Sequence, residues 1–239
     1  MIVSRRESVR KSIDRQRQER ILRSTADIRD GVAALVAACP TMRRIHKVCG
    51  DPPLRRERAG FEGLAGIVVA QQVSAASAAA IWRRTRAILG PVTPGAIAAA
   101  SDETLRAAGL SSGKIATLRR IADAASEGRL DLAKLARAEN EKIHDTLTAI
   151  KGIGPWTADI YIMFALGRSD AWAPGDLALR TALTRADDRG EPVSLQEMSR
   201  EGERWRPWRG VAARLLWAFH ARSTVTPLPA NHSTKKRAL

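Results

Sequence analysis

The sequence predicts an all-α protein, and three features of the chain support this prediction. Apolar residues recur three and four positions apart through most of the middle of the chain. Ser, Thr, Asp or Asn stands before several of these runs, as expected for helix N-caps. Strict apolar–polar alternation, which is typical of half-buried strands, is nearly absent. With 239 residues the chain is long enough for one compact domain, or for two small lobes that share one core.

The first half of the chain contains a basic extension and then three predicted helices. Residues 1–24 are rich in arginine and glutamine, and they are either an exposed extension or an arm that contacts a nucleic-acid backbone. A longer helix follows the potential cap Ser74, and its apolar face includes Ile81 and Ile88. Thr93 followed by Pro94 opens a short helix, and Ser101 opens another that ends near Gly109.

The second half predicts six further helices and then a tail. Residues 115–125 form one apolar face, and Gly128 ends that helix. The remaining five helices begin with a cap at Asn140, at Pro155 (running to about Gly167), near Asp176, at Ser194 and at Pro207. Residues 223–239 predict a basic disordered tail, so the folded domain is expected at 25–222, with a hairpin at 147–167.

The charge of the chain favours a polyanionic partner. The formal net charge is +15 and the pI is about 11.1, which suits nucleic acid; a solvated basic surface or anionic lipid is the alternative. Two cysteines are too few for a disulfide framework or an iron–sulfur cluster, and the four histidines lack metal-ligand spacing. The chain has neither an apolar run of transmembrane length nor a signal peptide, so we expect a cytoplasmic protein without a membrane partner.

Residues 150–158, Ile-Lys-Gly-Ile-Gly-Pro-Trp-Thr-Ala, predict a tight turn between two helices. Gly152 and Gly154 allow positive φ and leave backbone N–H groups uncovered, and Pro155 suits the first turn of a helix. Exposed amides at a helix N-terminus form an anion site, for which a phosphate is the obvious ligand. Taken alone, the Gly-x-Gly pattern is equally consistent with a plain helix–helix turn.

Asp176 is the second candidate for chemistry. It follows Pro174 and Gly175, which break the chain, and it stands at the start of a predicted helix. The positive end of that helix favours an ionised carboxylate. On this segment alone, an ordinary N-cap aspartate is the favoured explanation.

Together with Trp-Arg-Pro-Trp-Arg at 205–209, these motifs resemble the helix–hairpin–helix (HhH-GPD) DNA glycosylase superfamily, in particular its alkylated-base branch, 3-methyladenine DNA glycosylase II. The resemblance covers about residues 61–219, and the N-terminal β-rich domain of some members has no counterpart here. It implies a two-lobed helical fold with the active-site cleft between the lobes. It also implies a monofunctional glycosylase that removes alkylated purines, 3-methyladenine foremost, from double-stranded DNA and leaves an abasic site.

The resemblance assigns roles to individual residues of this chain. Asp176 falls at the catalytic aspartate, and Tyr161 is expected to face away from the site. The other matched positions are the base pocket (Trp156, Trp217, Ile160), the DNA contacts (Lys151, Gly152, Ile153, Gly154, Thr157), the DNA wedge (Gln71, Gln72) and the backbone carbonyls that can hold Na⁺ or K⁺ at the hairpin (Thr148, Ile150, Ile153). No other cofactor is implied, and we expect a monomer. Packing is expected for Trp82, Trp172, Trp205 and Trp208.

Elementary chemistry agrees with these roles. A base must leave the stack before its glycosidic bond can be cut, and cleavage develops positive charge on the sugar. One carboxylate suffices for an N-alkylated base, which is already cationic and attracts indole faces. Trp156 occupies the place of the Schiff-base lysine in strand-cutting members, so base removal without strand cleavage is expected. The alternatives are a glycosylase for deaminated or other neutral bases and a non-catalytic protein that binds damaged DNA.

Overall fold

A computed structural model describes residues 20–225, with side chains to residue 222, and shows a helical protein. The described part contains thirteen α-helices and one π-helical segment (Tyr161–Ala165), and its only bridge-type pairing joins Ile21 to Arg168. The α-helices are α1 (Thr25–Ala38), α2 (Pro40–Cys49), α3 (Phe61–Ala70), α4 (Ala75–Leu89), α5 (Pro94–Ala99), α6 (Asp102–Ala107), α7 (Ser112–Ser126), α8 (Leu132–Leu135), α9 (Asn140–Thr148), α10 (Pro155–Ile160), α11 (Leu177–Ala186), α12 (Leu195–Glu203) and α13 (Arg209–Val225). The predicted all-α class is confirmed.

The helices form two groups that correspond to the two expected lobes. The terminal lobe contains α1, α2, α11 and α13, which pack on one another. The central lobe is built around α3 and α7, with α4 and α10 on α3 and with α5 and α6 on α7. The π-helical segment packs on α3, α9 and α10, and its five residues are all buried. One apolar core runs through both groups.

Most of the predicted helix starts are confirmed. Ser74, Thr93 and Ser101 each accept a backbone hydrogen bond at the start of their helices, and Ser194 with Glu197 forms a capping box. The predicted Asn140 cap is wrong, because Glu139 is the N-cap and Asn140 is the first helical residue.

Two further helices differ from the prediction. The helix from Pro155 is α-helical only to Ile160 and then widens into the π-helical segment. The spacing of apolar residues does not distinguish these two kinds of helix, so the change could not be predicted. The last helix begins at Arg209 rather than at Pro207, and the Arg206–Pro207 peptide bond is cis.

The folded part extends beyond both predicted boundaries. Leu22 is fully buried, and its N–H donates to the carbonyl of Gly167. Arg20 pairs with Asp30 at 2.7 Å, so at least five residues assigned to the extension belong to the domain. At the other end α13 reaches Val225. The remainder of the extension and of the tail lies outside the described residues. Within the described range no helix has both the length and the apolar character needed to cross a bilayer.

Candidate active site

Asp176 is a buried helix cap at the start of α11. Its side chain is 8% exposed, and its Oδ1 accepts the backbone N–H of Leu179 at 3.0 Å. The backbone N–H of Asp176 donates to Ala173 at 3.1 Å, which closes the turn at Pro174 and Gly175. The capping role considered from the sequence is therefore real. It fixes the carboxylate at the positive end of a helix, where negative charge is stabilised.

Two tryptophans from different lobes donate hydrogen bonds to this carboxylate. The indole N–H of Trp156, on α10, donates to Oδ2 at 2.8 Å. The indole N–H of Trp217, on α13, donates to Oδ1 at 3.2 Å. With Leu179 the carboxylate accepts three N–H groups, an arrangement suited to its ionised form, which has only acceptors. The carboxylate therefore lies where the central and terminal lobes meet.

The other pocket candidates lie along the same helical segment. Ile160 follows Trp156 by one turn and is 8% exposed. One turn further, the Phe164 ring packs against Trp217 with centroids 5.4 Å apart, a contact that the sequence analysis did not identify. The Tyr161 hydroxyl accepts the N–H of Gly60 at 3.1 Å, which confirms that this side chain faces away.

The turn between α9 and α10 has the geometry of an anion site. Gly152 has φ +102°, and a Cβ there would collide with the Thr117 hydroxyl, so only glycine fits. Gly154 is the N-cap of α10 and has open space where a Cβ would be. Within residues 20–225 neither glycine N–H donates to a protein acceptor. These amides remain available to a phosphate.

Neighbouring residues hold the turn and add charge. Ile153 is 3% exposed, and its N–H donates to the Ile150 carbonyl at 2.9 Å. Lys151 is exposed, and its carbonyl accepts a hydrogen bond from Arg120 at 3.2 Å. Arg120 was not among the sequence candidates, because it lies 31 residues earlier in the chain.

Two predicted DNA-facing side chains point into the protein instead. Thr157 is 2% exposed; its N–H donates to Gly154 at 3.0 Å and its Oγ1 accepts the Gln71 amide at 2.8 Å. Gln71 also donates to the Gly152 carbonyl at 3.2 Å. The assignment of Thr157 to the DNA surface and of Gln71 to the wedge therefore needs correction. Gln72, by contrast, is exposed at the tip of its turn with φ +55°.

The Trp-Arg-Pro-Trp-Arg run at 205–209 supports the loop that carries Asp176. Asp170 is 1% exposed and accepts hydrogen bonds from Arg209 at 2.9 Å and from Arg206 at 2.6 Å. The Trp205 ring meets Trp172 edge-on, with centroids 5.2 Å apart, which confirms the predicted packing role of this pair. The run acts on the site by fixing residues 170–176.

The remaining two tryptophans also pack as expected. Trp82 is half-buried beside Gly66, and Trp208 is half-buried beneath the Arg20 guanidinium, which lies 4.6 Å from its ring centroid.

A cavity of about 700 Å³ adjoins Trp156 and Gly175, although Asp176 does not line it. Asp159 of α10 lines this cavity, 3.9 Å from Nε2 of His144. Burial raises the pKa of Asp159 to about 8, and the nearby positive charge of Arg209 only partly offsets that effect. Asp159 is thus a titratable group next to the site that sequence spacing did not reveal.

The backbone carbonyls named for a monovalent cation belong to the end of α9 and to the turn that follows it. The carbonyl oxygens of Thr148, Ile150 and Ile153 are neutral hard ligands of the kind that hold K⁺ or Na⁺. The Ile150 carbonyl already accepts the Ile153 N–H and keeps one lone pair for a cation.

Comparison with known proteins gives a consistent result. Residues 65–207 match the family model described as HhH-GPD superfamily base excision DNA repair protein. DNA-3-methyladenine glycosylase 1 of Schizosaccharomyces pombe is 31% identical over 182 residues, which cover 73% of this chain and 80% of that protein. DNA-3-methyladenine glycosylase 2 of Escherichia coli is 28% identical over 168 residues, 66% of this chain and 56% of that protein.

Solved structures agree with the sequence relatives. A DNA-3-methyladenine glycosidase from Bacillus halodurans superposes with a TM-score of 0.71 at 32% identity, covering 82% of this chain and 91% of that one. The Schizosaccharomyces pombe 3-methyladenine DNA glycosylase in complex with abasic DNA gives a TM-score of 0.74 at 28% identity, covering 82% and 97%.

Proposed function

Because the chain belongs to the HhH-GPD superfamily of base excision DNA repair proteins and is a DNA glycosylase of the 3-methyladenine type, we propose that Asp176 drives hydrolysis of the N-glycosidic bond of alkylated purines. The single observation that carries this proposal is the carboxylate of Asp176. It is held at the junction of the lobes by the N–H groups of Trp156, Trp217 and Leu179. The product is an abasic site in DNA.

Asp176 acts on the sugar rather than on the base. Breaking the bond leaves oxocarbenium character at the sugar, and the fixed negative charge of the carboxylate stabilises it. The same carboxylate orients or deprotonates the attacking water. An N-alkylated purine leaves as a neutral base without prior protonation, so the site needs no separate general acid. A reaction that needs one carboxylate and no general acid suits a cleft in which one buried carboxylate is hydrogen-bonded to two indoles.

Trp156 and Trp217 grip the flipped base. Each indole is half-buried and anchored by its N–H. The Trp156 ring, and the side of Trp217 away from Phe164, remain to contact a ligand. A cationic purine gains about 0.5–2 kcal/mol from such a face. Neutral undamaged bases lack this term, so the proposed substrates are cationic N-alkylated purines, 3-methyladenine foremost. Ile160, one turn after Trp156 and 8% exposed, would add an apolar contact to the base.

The hairpin seats one DNA phosphate. The free N–H groups of Gly152 and Gly154 donate to its oxygens, and Lys151 adds positive charge. A Na⁺ or K⁺ bound by the carbonyls of Thr148, Ile150 and Ile153 would supply a further positive charge at that phosphate. Gln72 enters the gap that the flipped base leaves. The enzyme works as a monomer on double-stranded DNA, and it leaves the strand intact because Trp156 provides no amine.

Base release from a panel of duplexes tests this function. Each duplex carries 3-methyladenine, 7-methylguanine, hypoxanthine or uracil, and Asp176→Asn serves as the inactive control. We expect release of the methylated purines by the wild type only, with strand breaks appearing only after alkali and no adduct trapped by borohydride. Release of hypoxanthine or uracil in preference would instead identify a glycosylase for neutral bases. Tight binding of abasic DNA without any release would identify a non-catalytic damage-binding protein.

A further inference from the structure

The two glutamines at the α3–α4 turn have different backbone and side-chain environments. Gln71 has φ −58° and ψ 133°, and Gln72 follows with φ +55°. The two angles of Gln71 and the φ of Gln72 match those of a type II turn, whose third position favours glycine. A non-glycine residue keeps such a conformation only where its surroundings enforce it, and such residues cluster at functional sites. Something must therefore hold Gln72 in place.

Gln71 connects this turn to the phosphate-binding hairpin. Its side-chain amide nitrogen donates to the Gly152 carbonyl at 3.2 Å and to Thr157 Oγ1 at 2.8 Å. Both acceptors are themselves fixed: Gly152 by its positive φ against Thr117, and Thr157 by burial at 2% exposure. The Gln71 amide thus joins the exposed α3–α4 turn to the rigid hairpin. Its acceptors, Gly152 and Thr157, follow Gln71 by 81 and 86 residues in sequence.

Lys114 braces the same turn from below. Its ammonium group donates to the Val69 carbonyl at 2.7 Å, in the last turn of α3. A cation at this position stabilises the negative end of the helix. Lys114 is half-buried, and this burial lowers its pKa. The helix that leads into the turn and the residue that starts the turn are both anchored.

We propose that Gln71 is a positioning residue that locks the wedge turn to the hairpin, so that phosphate binding and insertion of Gln72 occur as one rigid unit. This inference rests on the proposed function of the hairpin and of Gln72. Without the two hydrogen bonds the turn relaxes and Gln72 leaves the left-handed region. The hairpin amides remain in place, so the protein still binds the backbone. It then fails to hold the DNA open.

The test compares Gln71→Met, which keeps the length but cannot donate, with Gln196→Met. Gln196 is an exposed glutamine on α12 whose side chain makes no hydrogen bond among the described residues, so it is a matched control. Three quantities are measured: the Kd for a duplex with a tetrahydrofuran abasic analogue, the fluorescence of 2-aminopurine next to that analogue, and the single-turnover rate of 3-methyladenine release.

For Gln71→Met we expect a Kd within about threefold of wild type, because the hairpin amides are unchanged. The fluorescence rise is expected to be lost and the single-turnover rate to fall about tenfold, the effect of two neutral hydrogen bonds. The rate defect is expected to shrink when the lesion lies in a one-nucleotide bulge, because such a base is already partly unstacked. Gln196→Met behaves as wild type throughout.

Thr157→Val provides an independent variant that removes one acceptor and keeps the shape. Its smaller defect should not add to that of Gln71→Met in the double variant, as expected for groups in direct contact. The proposal is overturned if Gln71→Met retains the wild-type fluorescence rise and rate. It is also overturned if Kd rises and the rate falls together, equally on paired and bulged substrates, since that pattern indicates general destabilisation of the protein. A wild type that opens abasic DNA but releases no base refutes the proposed function, and the fluorescence comparison still decides the role of Gln71.

Discussion

Replacing Asp176 by asparagine should abolish base release while leaving DNA binding intact. The amide is nearly isosteric, and its oxygen can still accept the N–H of Leu179 at the start of α11. Its NH₂ group must then face the indole N–H of Trp156, which now donates to Oδ2 at 2.8 Å, so two donors oppose each other. The variant therefore loses the negative charge and the alignment of one pocket wall, but not the helix cap.

The size of the effect follows from burial. With Asp176 at 8% exposure, an effective dielectric constant of about 20 applies, and a charge pair at about 4 Å is worth about 4 kcal/mol. A loss of that size corresponds to about a thousandfold in rate. Removal of a fixed electrostatic group from other active sites has effects of the same order. We therefore expect single-turnover release of 3-methyladenine to fall by about 10³.

Asp131→Asn is the matched control for this measurement. Asp131 is an exposed N-cap that accepts the N–H of Lys134 at 2.9 Å, so the substitution changes the same chemical group at a residue that neither lines the cavity nor contacts Asp176. Quenched-flow release assays and binding of an abasic duplex should show a loss of rate for Asp176→Asn alone, with similar Kd values for all three proteins. Release by Asp176→Asn within about tenfold of wild type would remove the carboxylate from the mechanism.

Three further predictions concern the hairpin, the wedge and the cavity. Gly152→Ala should destabilise the fold by at least about 1 kcal/mol, because φ is +102° and the methyl group meets the Thr117 hydroxyl. Gly154→Ala should unfold like wild type in calorimetry, because a Cβ there meets open space. It should bind DNA more weakly, since its methyl group occupies the place of the phosphate. Gln72→Gly should raise the melting temperature, because glycine accepts φ +55° freely, and should slow release on paired DNA; a lower melting temperature would contradict the strain argument. Because the folded-state pKa of Asp159, about 8, lies above its ordinary 3.8, the native state binds the extra proton, so stability should fall as pH rises from about 4 to about 8. Asp159→Asn should remove that slope in denaturant titrations, and an unchanged slope would exclude Asp159 as its source.

Local chemistry was sufficient to predict the parts of the site that are contiguous in sequence. The hairpin depends on glycines and a proline within five positions, and each has a conformational reason to be there. Asp176 follows a Pro-Gly break, so its place at a helix start could be predicted. What the segment could not reveal was that the capping role and the proposed catalytic role belong to the same side chain.

Contacts between distant parts of the chain could not be predicted. Gln71 and Thr157 are 86 residues apart, and nothing in either segment shows that one amide faces the other. Helix α3 was not predicted. Six of its ten residues are buried and lie on all sides of the helix, so its sequence lacks the alternation of apolar and polar faces that indicates a helix. Phe164 was overlooked since its role depends on Trp217, which comes from the other lobe.

The shared hydrogen bonds of Asp176 have a consequence for how lesions are discriminated. An ill-fitting base that pushes either indole aside also removes a hydrogen bond from the carboxylate that must act on it. A poor substrate therefore lowers the reactivity of the site by removing that hydrogen bond from the carboxylate, even where stacking on the indoles lets it bind well. Discrimination between lesions should accordingly be expressed in kcat more than in Kd. An undamaged purine that enters the cleft would dissociate before its glycosidic bond is cleaved.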